Sequence, residues 1–456
     1  MKIHTLNPAT EQSLQSYEVL SKTLLSEKME ISHAAFLTWK NKSIDERLDL
    51  FRKLIEVLGN EKESCAQLMA LEMGKPIIFA RAEIEKCIWC CRYYIEHAKR
   101  FLAPEKVETE FTASFVTYNP LGVILAVMPW NFPFWQVLRF AIPTIIGGNT
   151  VLLKHASIVT GCAQKIEELF IHAGFPVGIL THLPISSDMV SDVIAHPNVC
   201  GVTITGSEAA GRSVASVAGL HLKKVALELG GNDACVVMNN ANLEAAAQAI
   251  VSSRLRNSGQ VCVSTKRVIV QREVHDQLVA CIRKLLPGFI MGNPLDEVTQ
   301  MGPMARGDLR DELHQQIQKA ISQGANLLEG GYIVEGKGFY YPPTLLTNVT
   351  KQSIIYEEEL FGPVISLSVF DSIDEAIALA NATRFGLGGS IFSNQIDQAT
   401  LLAEKALEAG VCFVNLPVTS DPRLPFGGIK CSGYGRELSR QGMLEFMNTK
   451  TVIVHA

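Results

Sequence analysis

The chain has 456 residues, 47% of them hydrophobic, more than a single ordinary core can organise, so two or three lobes are expected. Its 41 basic and 46 acidic residues leave a net charge of -5, spread without blocks. That pattern leaves no footprint for nucleic acid or an anionic membrane and points to a small-molecule partner.

Met1-Lys2-Ile3-His4 lacks the apolar segment of a signal peptide, and the 11 cysteines are scattered, so a reducing cytoplasm is expected. Asn7-Pro8-Ala9-Thr10 reads as an entry turn, followed by helical patterning from about Glu18 to Trp39 and from Ile44 to Gly59. Cys87, Cys90, Cys91 and His97 sit in continuous helical patterning without a second ligand pair, which favours a packed face over a metal site, so no metal is expected. Residues from about Glu108 to Tyr118 alternate apolar and polar as a strand does. The region Leu121 to Leu153 is the most apolar, but Pro129, Pro133, Pro143 and Gly147-Gly148 cut it too short for a membrane span.

Within that region Val123 to Met128 reads as a buried parallel strand, ending at Pro129-Trp130-Asn131-Phe132-Pro133. Asn131 there either caps the next helix or points a donor into the crevice at the sheet's carboxyl end. Phe132, Gln136 and Arg139 would share one helical face. Thr150 to Leu153, ending in Lys154, and Val202 to Thr205, ending in Gly206-Ser207 before Gly211, complete a strand, helix, strand order that implies a doubly wound α/β sheet. A glycine at 206 lets backbone approach a phosphate, but no full Gly-x-Gly-x-x-Gly is present. Glu228 lies in the apolar run Val225 to Leu229, where it is either salt-bridged or, desolvated, suited to a general base. After helical patterning from Asn242 to Leu255, the polar turn Asn257-Ser258-Gly259-Gln260 delivers Cys262, the candidate nucleophile.

The stretch around Cys262 resembles the active-site motif of the aldehyde dehydrogenase superfamily. Four further stretches resemble that family at compatible spacings: Trp130-Asn131, Leu227-Glu228-Leu229-Gly230-Gly231, Glu359-Leu360-Phe361-Gly362-Pro363, and Pro425-Phe426-Gly427-Gly428 with Ser432-Gly433 and Gly435-Arg436-Glu437. The resemblance implies an α/β fold with a Rossmann-like NAD(P)-binding domain (1–104 and 121–231), an α/β catalytic domain (232–434) and a small β oligomerisation arm (105–120 and 435–456) that makes a homodimer or homotetramer. It assigns Cys262 as nucleophile, Glu228 as general base and Asn131 as oxyanion donor. It places Trp130, Lys154, Ser157, Gly206, Ser207, Gly211, Glu359 and Phe361 at the cofactor. Ser157 stands where NAD-restricted members carry a glutamate, and Lys154 adds a positive charge, so NADP is expected to be accepted and NAD also usable. His155 departs from the family's proline, and Leu183 to Asp188 lacks its usual glycines.

Arg139 lies eight residues after Asn131 and Arg256 six before Cys262. Both are either surface charge or a pair of guanidinium groups for the far carboxylate of a short semialdehyde. The resemblance is closest to the shorter bacterial succinate-semialdehyde dehydrogenases, which implies substrate contacts from Arg139, Arg256, Gln136 and Ser420. A glutarate-semialdehyde or broad-specificity aldehyde dehydrogenase would share every catalytic residue, and a non-catalytic binding protein of the same fold is a further alternative. Ser264 stands where some relatives carry a second cysteine, so a disulfide switch is not expected.

Overall fold

Aliphatic runs with little polar alternation, separated by amphipathic helices, build two largely parallel sheets. The structure, a computed structural model, describes residues 2–456. The first sheet has six strands in the spatial order Gly433–Tyr434, Lys224–Glu228, Val199–Thr205, Val123–Met128, Thr150–His155 and Leu180–His182. Only Gly433–Tyr434 runs antiparallel to its neighbour. Val123, Ile124, Leu125 and Ala126 are buried because helices cover both faces of their strand, which is why that run is continuously apolar.

The turn expected at Asn7 to Thr10 joins two antiparallel strands, Lys2–Leu6 and Ser13–Glu18, and the Asn7 side chain accepts from the Ala9 N–H at 2.9 Å. Helices Lys22–Trp39 and Ile44–Asn60 follow, the second started by a reciprocal Ser43/Glu46 capping box. On helix Ile77–Phe101 the thiols of Cys87, Cys90 and Cys91 are fully buried in the apolar core, the packed face expected from the sequence.

The second sheet has seven strands: Asn326–Glu329, Thr344–Thr347, Val364–Phe370, Arg267–Gln271, Ala234–Val237, Gly388–Phe392 and Val411–Val414, all parallel except the first pair. A third sheet pairs Met447–Val454, Ala113–Pro120 and Glu105–Lys106 antiparallel. The strand read from Glu108 starts later, at Ala113. Before strand Met447–Val454, the apolar side chains of Leu438, Met443 and Phe446 pack into the core with helix Trp135–Ile146. Among the described residues, no helix is long and apolar enough to cross a membrane.

Candidate active site

Helix Leu243–Leu255 is capped by Asn242, whose side chain accepts from Ala245 N–H, and it stops at Arg256, where the backbone turns extended. Asn257, Ser258 and Gly259 then follow with φ of 53°, 54° and 72°. Left-handed backbone is unfavourable for Asn and Ser, so a run of it must be held by its surroundings. Asn257 Nδ2 donates to the Asn131 carbonyl at 2.9 Å, and Ser258 Oγ to the Gly302 carbonyl at 2.7 Å. At 259 any Cβ would lie 2.1 Å from the Gly362 carbonyl oxygen, so only glycine fits. From below, the buried Arg254 guanidinium donates to the carbonyls of Val364, Gly259 and Leu360 and to Ser264 Oγ, at 2.6, 3.3, 2.5 and 2.7 Å. Ser264 is thereby a structural hydroxyl, and the turn is fixed to both sheets.

This turn sets Cys262 where two clefts meet. One, of about 610 Å³, runs along the carboxyl edge of the first sheet; the other holds about 100 Å³. Gln136 and Cys262 line both. Asn131 lies on the larger cleft, and its Nδ2 donates to the Gln260 carbonyl at 3.0 Å, which orients the amide and leaves its second N–H free. The Cys262 backbone N–H has no acceptor among the described residues. Burial pushes the Cys262 thiol up to about 11, against the opposing pull of Arg139 and Lys266. Lys266, buried beneath the turn, donates to the Val261 and Cys262 carbonyls and pairs with Glu359 at 3.0 Å.

Glu228 ends the strand Lys224–Glu228 but lies on the wall of neither cleft. Its carboxyl is buried beside Gly427, where a Cβ would come within 2.7 Å of Oε1, an oxygen without a partner. Burial, then the neighbouring Glu437 carboxylate, hold Glu228 well above the ordinary carboxyl range, against Arg139 and Arg436. Glu437 in turn pairs with Arg139, itself 2% exposed. Sequence reasoning gave Glu437 no role; the two residues lie far apart in the chain, and no local pattern announces the pair.

On the larger cleft stand Trp130, Lys154, Ser157, Gly206, Ser207, Glu359 and Phe361. The Trp130 and Phe361 rings meet edge to face at 5.8 Å. Ser207 Oγ caps helix Glu208–Leu220 by accepting from Ala210 N–H. A Cβ at 206 would meet no protein atom nearer than 3.8 Å, so the space there is open to a ligand. Gly211 is set back from this wall: a Cβ there would lie 2.5 Å from Leu229, so this glycine serves helix-to-strand packing and Ala210 takes the cleft position. Burial alone lowers the Lys154 pKa, with no carboxylate acting on it among the described residues. Burial pushes the His155 ring down to about 4, and the neutral imidazole accepts from the Ala156 N–H on Nδ1 at 3.0 Å and donates Nε2–H to the Pro133 carbonyl at 2.9 Å, tying the lysine loop to the asparagine loop. Ser187, from the loop without glycines, also reaches the wall, as do Arg306, Glu312 and Gln316, three positions the sequence reading did not assign. A cleft of this volume with aromatic walls, a free cation and a helix start suits a phosphorylated dinucleotide.

Arg139, Arg256, Gln136 and Ser420 line the smaller cleft with Phe132, Trp135 and Phe426. The cleft also holds Lys86, which donates to Ser420 Oγ at 2.8 Å. The sequence gave no signal for it, because it sits in the helical pattern of the buried cysteines.

The aldehyde dehydrogenase family model matches residues 1–452. A probable succinate-semialdehyde dehydrogenase [NADP(+)] of Synechocystis sp. is 44% identical over 453 residues, 99% of each chain. A succinate semialdehyde dehydrogenase [NAD(P)+] of Escherichia coli is 43% identical over 448 residues, 98% of this chain and 97% of that one. The crystal structure of succinic semialdehyde dehydrogenase from Streptococcus pyogenes in complex with NADP+ superposes with a TM-score of 0.97 at 37% identity, covering 100% of both chains.

Proposed function

This chain belongs to the aldehyde dehydrogenase family, and from that premise we propose that it oxidises succinate semialdehyde to succinate with NADP+ or NAD+. The observation that carries this reading is the place of Cys262, shared between a cleft sized for a dinucleotide and a small cleft lined by cations.

The Cys262 thiolate attacks the aldehyde carbon from the smaller cleft. The resulting oxyanion takes hydrogen bonds from the free Asn131 N–H and from the Cys262 N–H, each such donor typically worth roughly 3 to 4 kcal/mol when preorganised. When bound, the nicotinamide accepts the hydride, and a thioester on Cys262 remains. Glu228 then removes a proton from the attacking water, for which its side chain must rotate out of its present burial beside Glu437. Collapse of the resulting adduct releases the acid and expels the Cys262 thiolate, and Glu228 returns its proton to solvent.

A bound dinucleotide would have Trp130 and Phe361 beside the nicotinamide, Glu359 at its ribose hydroxyls, and Gly206 and Ser207 at the phosphates. Lys154 and Ser157 would hold the adenosine ribose, where a cation without a carboxylate neighbour would tolerate a 2′-phosphate. Arg256, with an unpartnered Nε, takes the distal carboxylate together with Ser420, and Gln136 lines the path between the clefts. Arg139 adds positive potential, already shared with Glu437.

We assign residues 1–104 and 121–231 to cofactor binding, 232–434 to the catalytic lobe, and 105–120 with 435–456 to an arm for subunit pairing in a homodimer or homotetramer. The strand Met447–Val454 leaves one edge unpaired, with Ile453 and Val454 exposed, which supports a further strand docking there. A cytoplasmic location accords with the reduced thiols this chemistry requires.

The test is a panel of succinate semialdehyde, glutarate semialdehyde and butanal, each with NADP+ and NAD+. The reading expects the highest kcat/KM for succinate semialdehyde, with turnover on both cofactors; a preference for butanal contradicts it.

A further inference from the structure

The smaller cleft gathers four cations, Lys75, Lys86, Arg139 and Arg256, and only two of them are neutralised. Lys75 forms a fully buried pair with Glu83, whose other oxygen accepts from the Phe134 and Trp135 N–H groups at 2.9 Å each. Arg139 is paired with Glu437. Arg256 has the Phe132 ring at 5.9 Å and no partner for Nε. Lys86 lies over the Trp135 ring at 4.5 Å and donates only to the Ser420 hydroxyl. Asp421, which follows Ser420, is gripped by the Arg423 fork at 2.6 to 3.2 Å. Lys86 and Arg256 are both half-buried; Lys86 has no carboxylate partner, and Arg256 feels only the Glu83 charge that Lys75 already pairs, so a ligand carboxylate between them is favoured.

We propose that Lys86 is a specificity residue of this enzyme: its ammonium, presented by Ser420 and Trp135, binds the carboxylate of the anionic aldehyde jointly with Arg256. The proposal rests on the substrate reading above and deepens it, since it names a lysine rather than a second arginine as the partner of Arg256. Arg139 is committed to Glu437 and acts on the acid-base side of the thiol.

The assignment carries a pH signature. Burial, then the positive charges of Arg256 and Arg139, push Lys86 down to about 8. The other groups facing it are the Cys87 and Cys90 thiols of its own helix, held neutral well above the ordinary range by burial, and Asp421, held below the ordinary carboxyl range mainly by Arg423. As pH rises through about 8 the free enzyme therefore loses the Lys86 charge, while a succinate semialdehyde carboxylate stays ionised throughout. Changes in Cys262 or Glu228 ionisation affect every aldehyde and cancel in a ratio of two substrates.

The experiment measures kcat/KM for succinate semialdehyde divided by that for butanal, at saturating NADP+, across about pH 7 to about pH 9.5. Wild type is compared with Lys86→Gln and Lys86→Arg. The wild-type ratio is expected to fall with rising pH. Lys86→Gln should lower it at least about ten-fold at neutral pH and flatten the profile. Lys86→Arg should keep a high ratio that no longer falls. A Lys86→Gln ratio within two-fold of wild type, or a flat wild-type profile, overturns the proposal. Should Lys86→Gln fail to fold, the wild-type profile and Lys86→Arg decide the matter. If wild type shows no preference for succinate semialdehyde at neutral pH, it is the substrate reading that fails, whereas a preference that survives Lys86→Gln removes only Lys86.

Discussion

The two clefts that meet at Cys262 are built on different terms. On the larger one, polar groups already have partners: Glu359 is held by Lys266 and the Gly231 N–H, and Ser207 caps its helix. A dinucleotide would find a largely preformed wall with one free cation, Lys154. On the smaller one, Lys86 and Arg256 are left without carboxylates, and the Gln136 Oε1 has no partner. Preformed polar walls suit a cofactor that is the same in every turnover, whereas unmatched charge reserves binding free energy for one class of aldehyde.

The sharpest way to break this comparison is to remove the atom that joins the clefts. Cys262→Ala should reduce aldehyde oxidation by at least about four orders of magnitude while dinucleotide affinity, read by fluorescence titration, changes little. Retained turnover would place the nucleophile elsewhere. On the substrate side, Arg256→Ala should raise KM for succinate semialdehyde about ten-fold or more over its effect on butanal, the usual scale of a charged hydrogen bond. Arg139→Ala should instead slow both aldehydes by similar factors, because it frees the Glu437 charge beside Glu228; a substrate-selective effect would put Arg139 back among the carboxylate ligands.

Between the clefts, the thiol's own ionisation is measurable without cofactor. A thiol pushed up to about 11 is protonated at neutral pH, so its alkylation rate by iodoacetamide should rise about ten-fold per pH unit from pH 7 toward pH 10. A plateau below pH 8 would mean that Arg139 and Lys266 outweigh burial. On the cofactor side the smallest effect is expected: Ser157→Glu should lower the NADP+ to NAD+ ratio of kcat/KM by roughly ten-fold through charge repulsion. An unchanged ratio would leave Lys154 as the selector.

Much of this arrangement was legible in the chain because strand ends and turns leave local marks. The apolar run stopping at Asn131, the carboxylate in Val225 to Leu229 and the Asn-Ser-Gly turn before Cys262 fall where they were expected. What stayed hidden depends on contacts between distant residues. Arg254 reads as an ordinary helical arginine, yet it clamps the nucleophile turn to Leu360 and Val364. Lys86 is masked by the buried cysteines beside it, and Glu437 by the glycine-rich turn that carries it. Gly211 misled in the other direction, since a glycine that admits a phosphate and one that admits Leu229 look alike in sequence.

The central claim, that Cys262 receives the aldehyde from the cationic cleft and passes through an acyl intermediate released by Glu228, is tested most directly by trapping that intermediate. The Glu228→Gln variant, mixed with succinate semialdehyde and NADP+ and quenched in acid, should carry a succinyl group on the peptide containing Cys262 by mass spectrometry. Its accumulation should match a single stoichiometric burst of reduced cofactor. Steady turnover at the wild-type rate with no adduct on Cys262 would contradict the account.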